Sequence, residues 1–143
     1  MQIRRQDVPS IAMYVAWTIA LVATGGAIFI GEVMGQTPCV LCWYQRIFMF
    51  PLALILGLAC FKGDLGGAKY GLLVAVPGLL IAGWHTSLYF GLISQAIAPC
   101  SQGVSCTDAN MTIWGAVPLP LLSTLSFTAI AALLLIALRK EKS

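Results

Sequence analysis

Residues 37–61 read TPCVLCWYQRIFMFPLALILGLACF. Past Arg46 every residue up to Phe61 is apolar. Trp43 to Phe61 is about 19 residues, or about 28 Å of helix, close to the roughly 30 Å thickness of a hydrocarbon core. Only a helix or a closed barrel pairs every backbone group in lipid. An unbroken apolar run lacks the alternation of a barrel strand. The stretch therefore predicts a membrane-crossing helix with two thiols and a permanent cation at its mouth.

The same reading extends along the chain. Ile11–Gly31, Tyr70–Ile93 and Val117–Leu138 are apolar runs of similar length. Composition agrees: 59% of the residues are hydrophobic and 9% charged, against roughly 25% charged in soluble domains. Mean hydropathy is +0.92. The expected fold is an all-α membrane protein, a bundle of four transmembrane helices forming one membrane domain over residues 1–143. The helices are expected at about 11–31, 43–61, 70–93 and 117–138. The first is expected to stay as a span: its apolar run exceeds the 7 to 15 residues of a signal-peptide core, and no A-x-A site follows. With a net charge of +3 and no basic patch interleaved with aromatics, nucleic-acid binding has no support.

Lysine and arginine give an orientation. Arg4 and Arg5 precede the first span, Lys62 and Lys69 lie between the second and third, and Arg139, Lys140 and Lys142 follow the fourth. This side is expected to be cytoplasmic, with both termini there; Arg46 is the cation left for the other side. The inner loop KGDLGGAK is a plain turn between antiparallel helices. Small residues four apart (Ala27 and Gly31, Ala53 and Gly57, Gly71 and Ala75, Gly78 and Ala82) permit close helix packing. Asn110-Met111-Thr112 fits a glycosylation sequon, a pattern too short to carry weight.

Two spans separate Cys39 and Cys42 from Cys100 and Cys106, so both pairs share one face whichever way the chain inserts. The charge bias makes that face extracytoplasmic, where disulfides persist. The expectation is thus two short extracytoplasmic loops, each carrying a cysteine pair. Cys60 falls near the opposite end and reads as a small buried hydrophobe.

Cys39-x-x-Cys42 opens a helix, where unpaired N–H groups and the helix dipole favour a thiolate. Arg46 lies one turn beyond Cys42 on the same face, where it would stabilise the Cys42 thiolate and negative charge on anything reduced nearby. Other readings stay open. The CxxC pair also suits a structural disulfide, and Arg46 suits snorkelling beside Trp43 and Tyr44. Four thiols could hold zinc, although structural zinc sites usually have tighter knuckles and a reducing compartment, and no metal is expected. Cys100 and Cys106, with Pro99 and Gly103 nearby, suit an exchangeable pair in a turn-rich loop, or a static staple. Two dithiols on one face can pass electrons by exchange, but net oxidation needs a further acceptor. A lipid-soluble acceptor could reach the Cys39/Cys42 pair at the lipid boundary. His85 lies about eight residues inside its span, roughly 12 Å deep. An intramembrane ionisable residue is a functional candidate, here for a hydrogen bond to a quinone oxygen or a proton relay, against the plainer reading of a core histidine. A single histidine disfavours a bis-histidine haem.

CVLCWYQR opening the second span, four spans with inner termini, and a second outer cysteine pair before the fourth span together resemble the DsbB/BdbC family of bacterial membrane disulfide-bond formation proteins. The resemblance covers nearly the whole chain. It implies a location in the bacterial cell (inner) membrane. It also implies a partner, a DsbA-like or BdbD-like thioredoxin-fold oxidase that is reoxidised while electrons pass to a membrane quinone, ubiquinone or menaquinone. By the resemblance, Cys100 forms the mixed disulfide with the partner and Cys106 resolves it. Cys39 exchanges with the loop pair, Cys42 faces the quinone beside Arg46, and His85 is a quinone-side residue. The chain departs from Gram-negative members in placing only five residues between Cys100 and Cys106, which is closer to the short BdbC type. It also has Gln45 where many relatives carry an acid. Two alternatives are a thiol-driven quinone reductase of the vitamin K epoxide reductase type and a disulfide-stapled membrane scaffold.

Overall fold

Each helix begins and ends where local chemistry dictates. The computed structural model describes residues 7–100, 103–107 and 112–141. Arg4, Arg5, Lys142, Asn110 and Met111, used above for orientation and the sequon, lie outside them. Helix α1 spans Val8–Ile28 with a proline in its first turn, where a missing N–H costs nothing. It continues into a π-helical turn, Phe29–Val33. Helix α2 spans Val40–Lys62 and stops at Gly63, whose φ of 66° is left-handed. Helix α3 spans Gly67–Tyr89. Its last carbonyls are taken by Leu92 N–H on Ser87 O at 2.9 Å and Gly91 N–H on Leu88 O at 3.1 Å. This is a Schellman stop, with Gly91 at φ 71°. Helix α4 spans Leu119–Glu141, with Arg139 and Lys140 in its last turn.

All four helices are long and apolar enough to cross a membrane, and the chain is a multi-pass membrane bundle. The ends differ from expectation. Helix α2 starts at Val40 rather than 43, because Cys39 caps it. Helix α3 stops at Tyr89 rather than 93, because Gly91 ends it. Between α3 and α4 lie a 3-10 turn, Gln95–Ile97, and an unforeseen antiparallel pair, β1 Thr112–Ile113 with β2 Val117–Pro118.

The helices form a ring: α1 packs on α2, α2 on α3, α3 on α4 and α4 on α1. On α3 the buried residues Gly71, Ala75, Gly78, Ala82 and His85 recur at spacings of four and three. They make one stripe against the neighbouring helices. The Phe127 ring of α4 fills the space over Gly78, where any Cβ would collide with it. On α2 the matching stripe is Leu41, Gln45, Met49, Leu52 and Leu56. The outer surface is apolar, with Leu54, Leu58, Leu73 and Leu80 all exposed, as a lipid-facing surface requires. A second apolar cluster of Cys39, Leu41, Leu88 and Cys106 sits where α2 begins and α3 ends.

Candidate functional site

Cys39 is the N-cap of α2, in extended backbone (φ −70°, ψ 170°). Its sulfur does the work of a capping oxygen, accepting the Cys42 N–H at 3.3 Å. The CxxC spacing thereby puts both sulfurs on the first turn, 2.7 Å apart. The hydrogen bond from Cys42, seconded by His85, holds the Cys39 thiol down to about 5 despite the opposing effect of burial. The direction of the shift favours the Cys39 thiolate when the pair is reduced.

One turn on, Arg46 is held by α1. Its Nη2 donates to Ala27 O at 2.8 Å, on the turn where the α1 ladder passes from i−4 to i−5 spacing. Such π turns free backbone groups and recur at functional sites. The guanidinium also stacks over Trp43, with Cζ 5.3 Å from the ring centroid. Gly31 makes this fit: a Cβ there would lie 3.0 Å from Nη2 and 3.3 Å from Nη1.

Cys42 and Arg46 line one end of a cleft of about 500 Å³ between α1, α2 and α4. Its walls are mainly apolar, including Ile19, Val22, Ile30, Met49, Phe50 and Phe127, with Ser123 and Ser126 on the α4 side. Val22 and Leu122 line it and are also exposed on the apolar flank. An apolar ring with an acceptor oxygen suits such a cleft: hydrocarbon contacts along its length, a fixed cation and a sulfur at its end.

Cys100 and Cys106 form a disulfide. Cys106 is the inner member, only 2% exposed, while Cys100 is partly exposed. The short loop reaches the first pair: the Cys39 and Cys106 sulfurs and a His85 ring nitrogen all lie within 4.8 Å of one another. These are ligand-type atoms, and with Cys106 tied to Cys100 they set a disulfide sulfur beside the Cys39 sulfur.

His85 differs most from expectation. Because α3 stops at Tyr89, it lies four residues from the helix end, about 6 Å rather than 12 Å. It borders the cleft, yet its Nε2 faces sulfur chemistry: 3.1 Å from Cys106 O and 3.8 Å from Cys39 Sγ. Its Nδ1 meets Gln45 Nε2 at 2.9 Å. Cys60 is buried at the far end of α2, where its carbonyl accepts the Tyr14 hydroxyl at 3.2 Å, and it takes no part in this cluster.

A family model for the disulfide bond formation protein DsbB matches residues 9–137. The chain belongs to this family. A probable disulfide formation protein of Metapseudomonas resinovorans is 51% identical over 129 residues, 90% of each chain. Disulfide bond formation protein C of Bacillus subtilis (strain 168) is 37% identical over 131 residues, 92% of this chain and 94% of that one. A probable disulfide formation protein of Deinococcus radiodurans is 39% identical over 131 residues, 85% of each chain. No solved structure matches the chain significantly.

The residue to which sequence reasoning gave no role is Gln45. It is 8% exposed and sits on the buried stripe of α2, as His85 sits on that of α3. A polar residue on an otherwise apolar stripe of a membrane helix needs a buried partner. That signal was available from spacing alone.

Proposed function

We propose that this chain is a membrane thiol:quinone oxidoreductase that reoxidises a DsbA-like or BdbD-like thioredoxin-fold oxidase and so supports disulfide formation in secreted proteins. One observation carries the reading: a file of sulfurs leads from the partly exposed Cys100, through Cys106 and Cys39, to Cys42 at an apolar cleft. A reduced partner opens the loop disulfide at Cys100, the more accessible sulfur, and Cys106 is released as a thiolate. That thiolate attacks Cys39 of a Cys39–Cys42 disulfide, and Cys42 leaves with the electron pair at the cleft. Sulfur exchange only relocates electrons, so net oxidation requires a final acceptor. A quinone held in the cleft would accept two electrons and two protons. The apolar walls would hold its ring and tail, and Arg46, fixed by Ala27 O, would stabilise negative charge beside Cys42.

Lys62, Lys69, Arg139 and Lys140 lie at the bundle end opposite the two cysteine pairs. With Arg4, Arg5 and Lys142 of the sequence, they support a bacterial cell membrane protein with cytoplasmic termini and an extracytoplasmic redox end. The test is catalytic. Purified protein is expected to oxidise a reduced thioredoxin-fold protein while consuming a short-chain quinone, and Cys39→Ala and Cys42→Ser to abolish both. Undiminished turnover in those two variants would remove the reading.

A further inference from the structure

We propose that Gln45 and His85 form a positioning pair that holds Cys106 over Cys39, so that His85 serves the handover between the two cysteine pairs. The inference rests on the electron route just proposed and assigns it two residues.

The hydrogen-bond directions follow from one fixed end. The Cys106 carbonyl, 3.1 Å from His85 Nε2, can only accept. Nε2 therefore carries the proton. In the neutral ring Nδ1 is then an acceptor, and Gln45 must present its amide N–H, as the 2.9 Å contact between Gln45 Nε2 and His85 Nδ1 has it. The chain runs one way, from Gln45 on α2 through His85 on α3 to the backbone of Cys106. His85 is 1% exposed and Cys39 1% exposed, so each bond lies in surroundings where an unmet polar group is costly.

This bond ties the loop to the bundle. Among the described residues, the other side-chain bonds of residues 103–107 stay within the outer loops and are exposed: Gln95 Nε2 to Thr107 Oγ1 at 3.3 Å, and Ser105 Oγ with Thr107 Oγ1 at 3.1 Å. The His85 bond falls on the residue whose sulfur must meet Cys39. The same Nε2–H lies 3.8 Å from Cys39 Sγ, where it faces the charge that appears when Cys39 leaves.

The handover is two exchanges. The Cys106 thiolate bonds to Cys39, the Cys39–Cys42 bond breaks, and Cys42 takes the electron pair. The partner's second thiolate closes the partner's own disulfide and displaces Cys100 from the mixed disulfide; the freed Cys100 thiolate then bonds to Cys106, the Cys106–Cys39 bond breaks, and Cys39 takes the pair. The loop disulfide is remade, Cys39 and Cys42 hold the two electrons the loop dithiol gave up, and each exchange passes from thiolate to thiolate, so no proton need cross between the pairs. His85 hydrogen-bonds throughout and is not consumed.

The test measures proximity without quinone or partner, so it stands apart from the proposed activity. In full-length protein carrying Cys42→Ser, Cys60→Ala and Cys100→Ser, the thiols left are Cys39 and Cys106. Equilibration with oxidised and reduced glutathione, acid quench and mass analysis of the Cys39–Cys106 bond against glutathione adducts gives their effective concentration. Adding His85→Leu, which fills the space but donates nothing, is expected to lower it about tenfold, the worth of one buried hydrogen bond. His85→Gln, whose amide can donate to the carbonyl, is expected to recover most of the loss. Equal values in the Leu and Gln variants, or a Leu variant within twofold of its parent, would overturn the proposal. Should His85→Leu fail to fold, Gln45→Leu decides: a fall of about threefold supports the pair, and an unchanged value overturns it.

Discussion

Cys39 serves at once as helix cap, buried group and reactive sulfur. A thiol held near 5 is ionised at neutral pH, but it is a weaker nucleophile and a better leaving group than an ordinary cysteine at about 8.5. Those properties suit the end of the proposed exchange, where Cys39 must depart from Cys106 as the loop disulfide is remade. The main cause of the shift is the Cys42 hydrogen bond, which makes the effect testable. In reduced protein lacking Cys60, Cys100 and Cys106, the ultraviolet absorbance of the Cys39 thiolate is expected to appear as pH rises through about 5. The sign follows from a lowered pKa: the charged form persists above 5 and is lost below it. In the added variant Cys42→Ala the inflection is expected to move up by several units, and in Cys42→Ser, which keeps a hydroxyl donor, by less. An inflection in the Ala variant still near 5 would mean that something other than Cys42 holds the charge. CxxC at a helix start pointed to a favoured thiolate, but through the helix dipole and, at Cys42, through Arg46; the main cause at Cys39 is instead the hydrogen bond from Cys42. The motif was not enough to foresee that capping by the Cys39 sulfur starts α2 early, which sets how closely the two sulfurs meet.

At the scale of elements, the apolar runs located all four helices, because crossing lipid demands length and hydrophobicity that no loop here matches. The ends were less legible. Phe90, Leu92 and Ile93 are as apolar as the span before them, so hydropathy carried α3 past its true stop. Gly91 ends the helix through backbone conformation, which hydropathy does not measure. That error put His85 about 6 Å too deep; in the structure it borders the cleft and also reaches the Cys39 sulfur and the Cys106 carbonyl. The hairpin of β1 and β2 was harder to see, since its turn sets Trp114 at φ 52° ahead of Gly115 at φ 71°, and a bulky aromatic is not an expected residue in the left-handed region. The π turn of α1 was also invisible, yet it shapes the Arg46 site. Gly31→Ala is expected to shift the guanidinium by a few tenths of an ångström and raise the quinone KM about twofold to threefold, in the same direction as the larger effect of Arg46→Ala. Oxidation of the partner dithiol in a single turnover without quinone should be unaffected in both. Wild-type quinone kinetics in Gly31→Ala would show that the notch does not position Arg46. A second packing prediction concerns Gly78, over which Phe127 lies. Gly78→Leu is expected to lower the thermal midpoint by several degrees through overpacking, whereas Gly83→Ala, where a Cβ would meet nothing within 4 Å, should be near neutral.

At the scale of the molecule, an even number of crossings gathers four cysteines at one end and leaves Cys60 at the other. The bundle separates two environments: Cys100 is partly exposed in the loop beyond α3, and the cleft beside Cys42 opens on the apolar flank. A scaffold stapled by two disulfides and an electron conduit share this architecture but differ in how their redox state responds to supply. A staple stays oxidised whatever the membrane contains. A conduit fills with electrons when its acceptor is withdrawn, from Cys42 back to Cys100. In cells depleted of quinone, acid trapping followed by thiol labelling is therefore expected to show four reduced outer cysteines in most of the protein. Restoring quinone should reoxidise both pairs, while Cys60 stays a thiol under both conditions. Arg46→Ala should leave the pairs partly reduced even with quinone present, since electrons would leave the cleft more slowly. Outer cysteines that remain fully oxidised through depletion would mark the disulfides as structural and end the conduit reading at its first step.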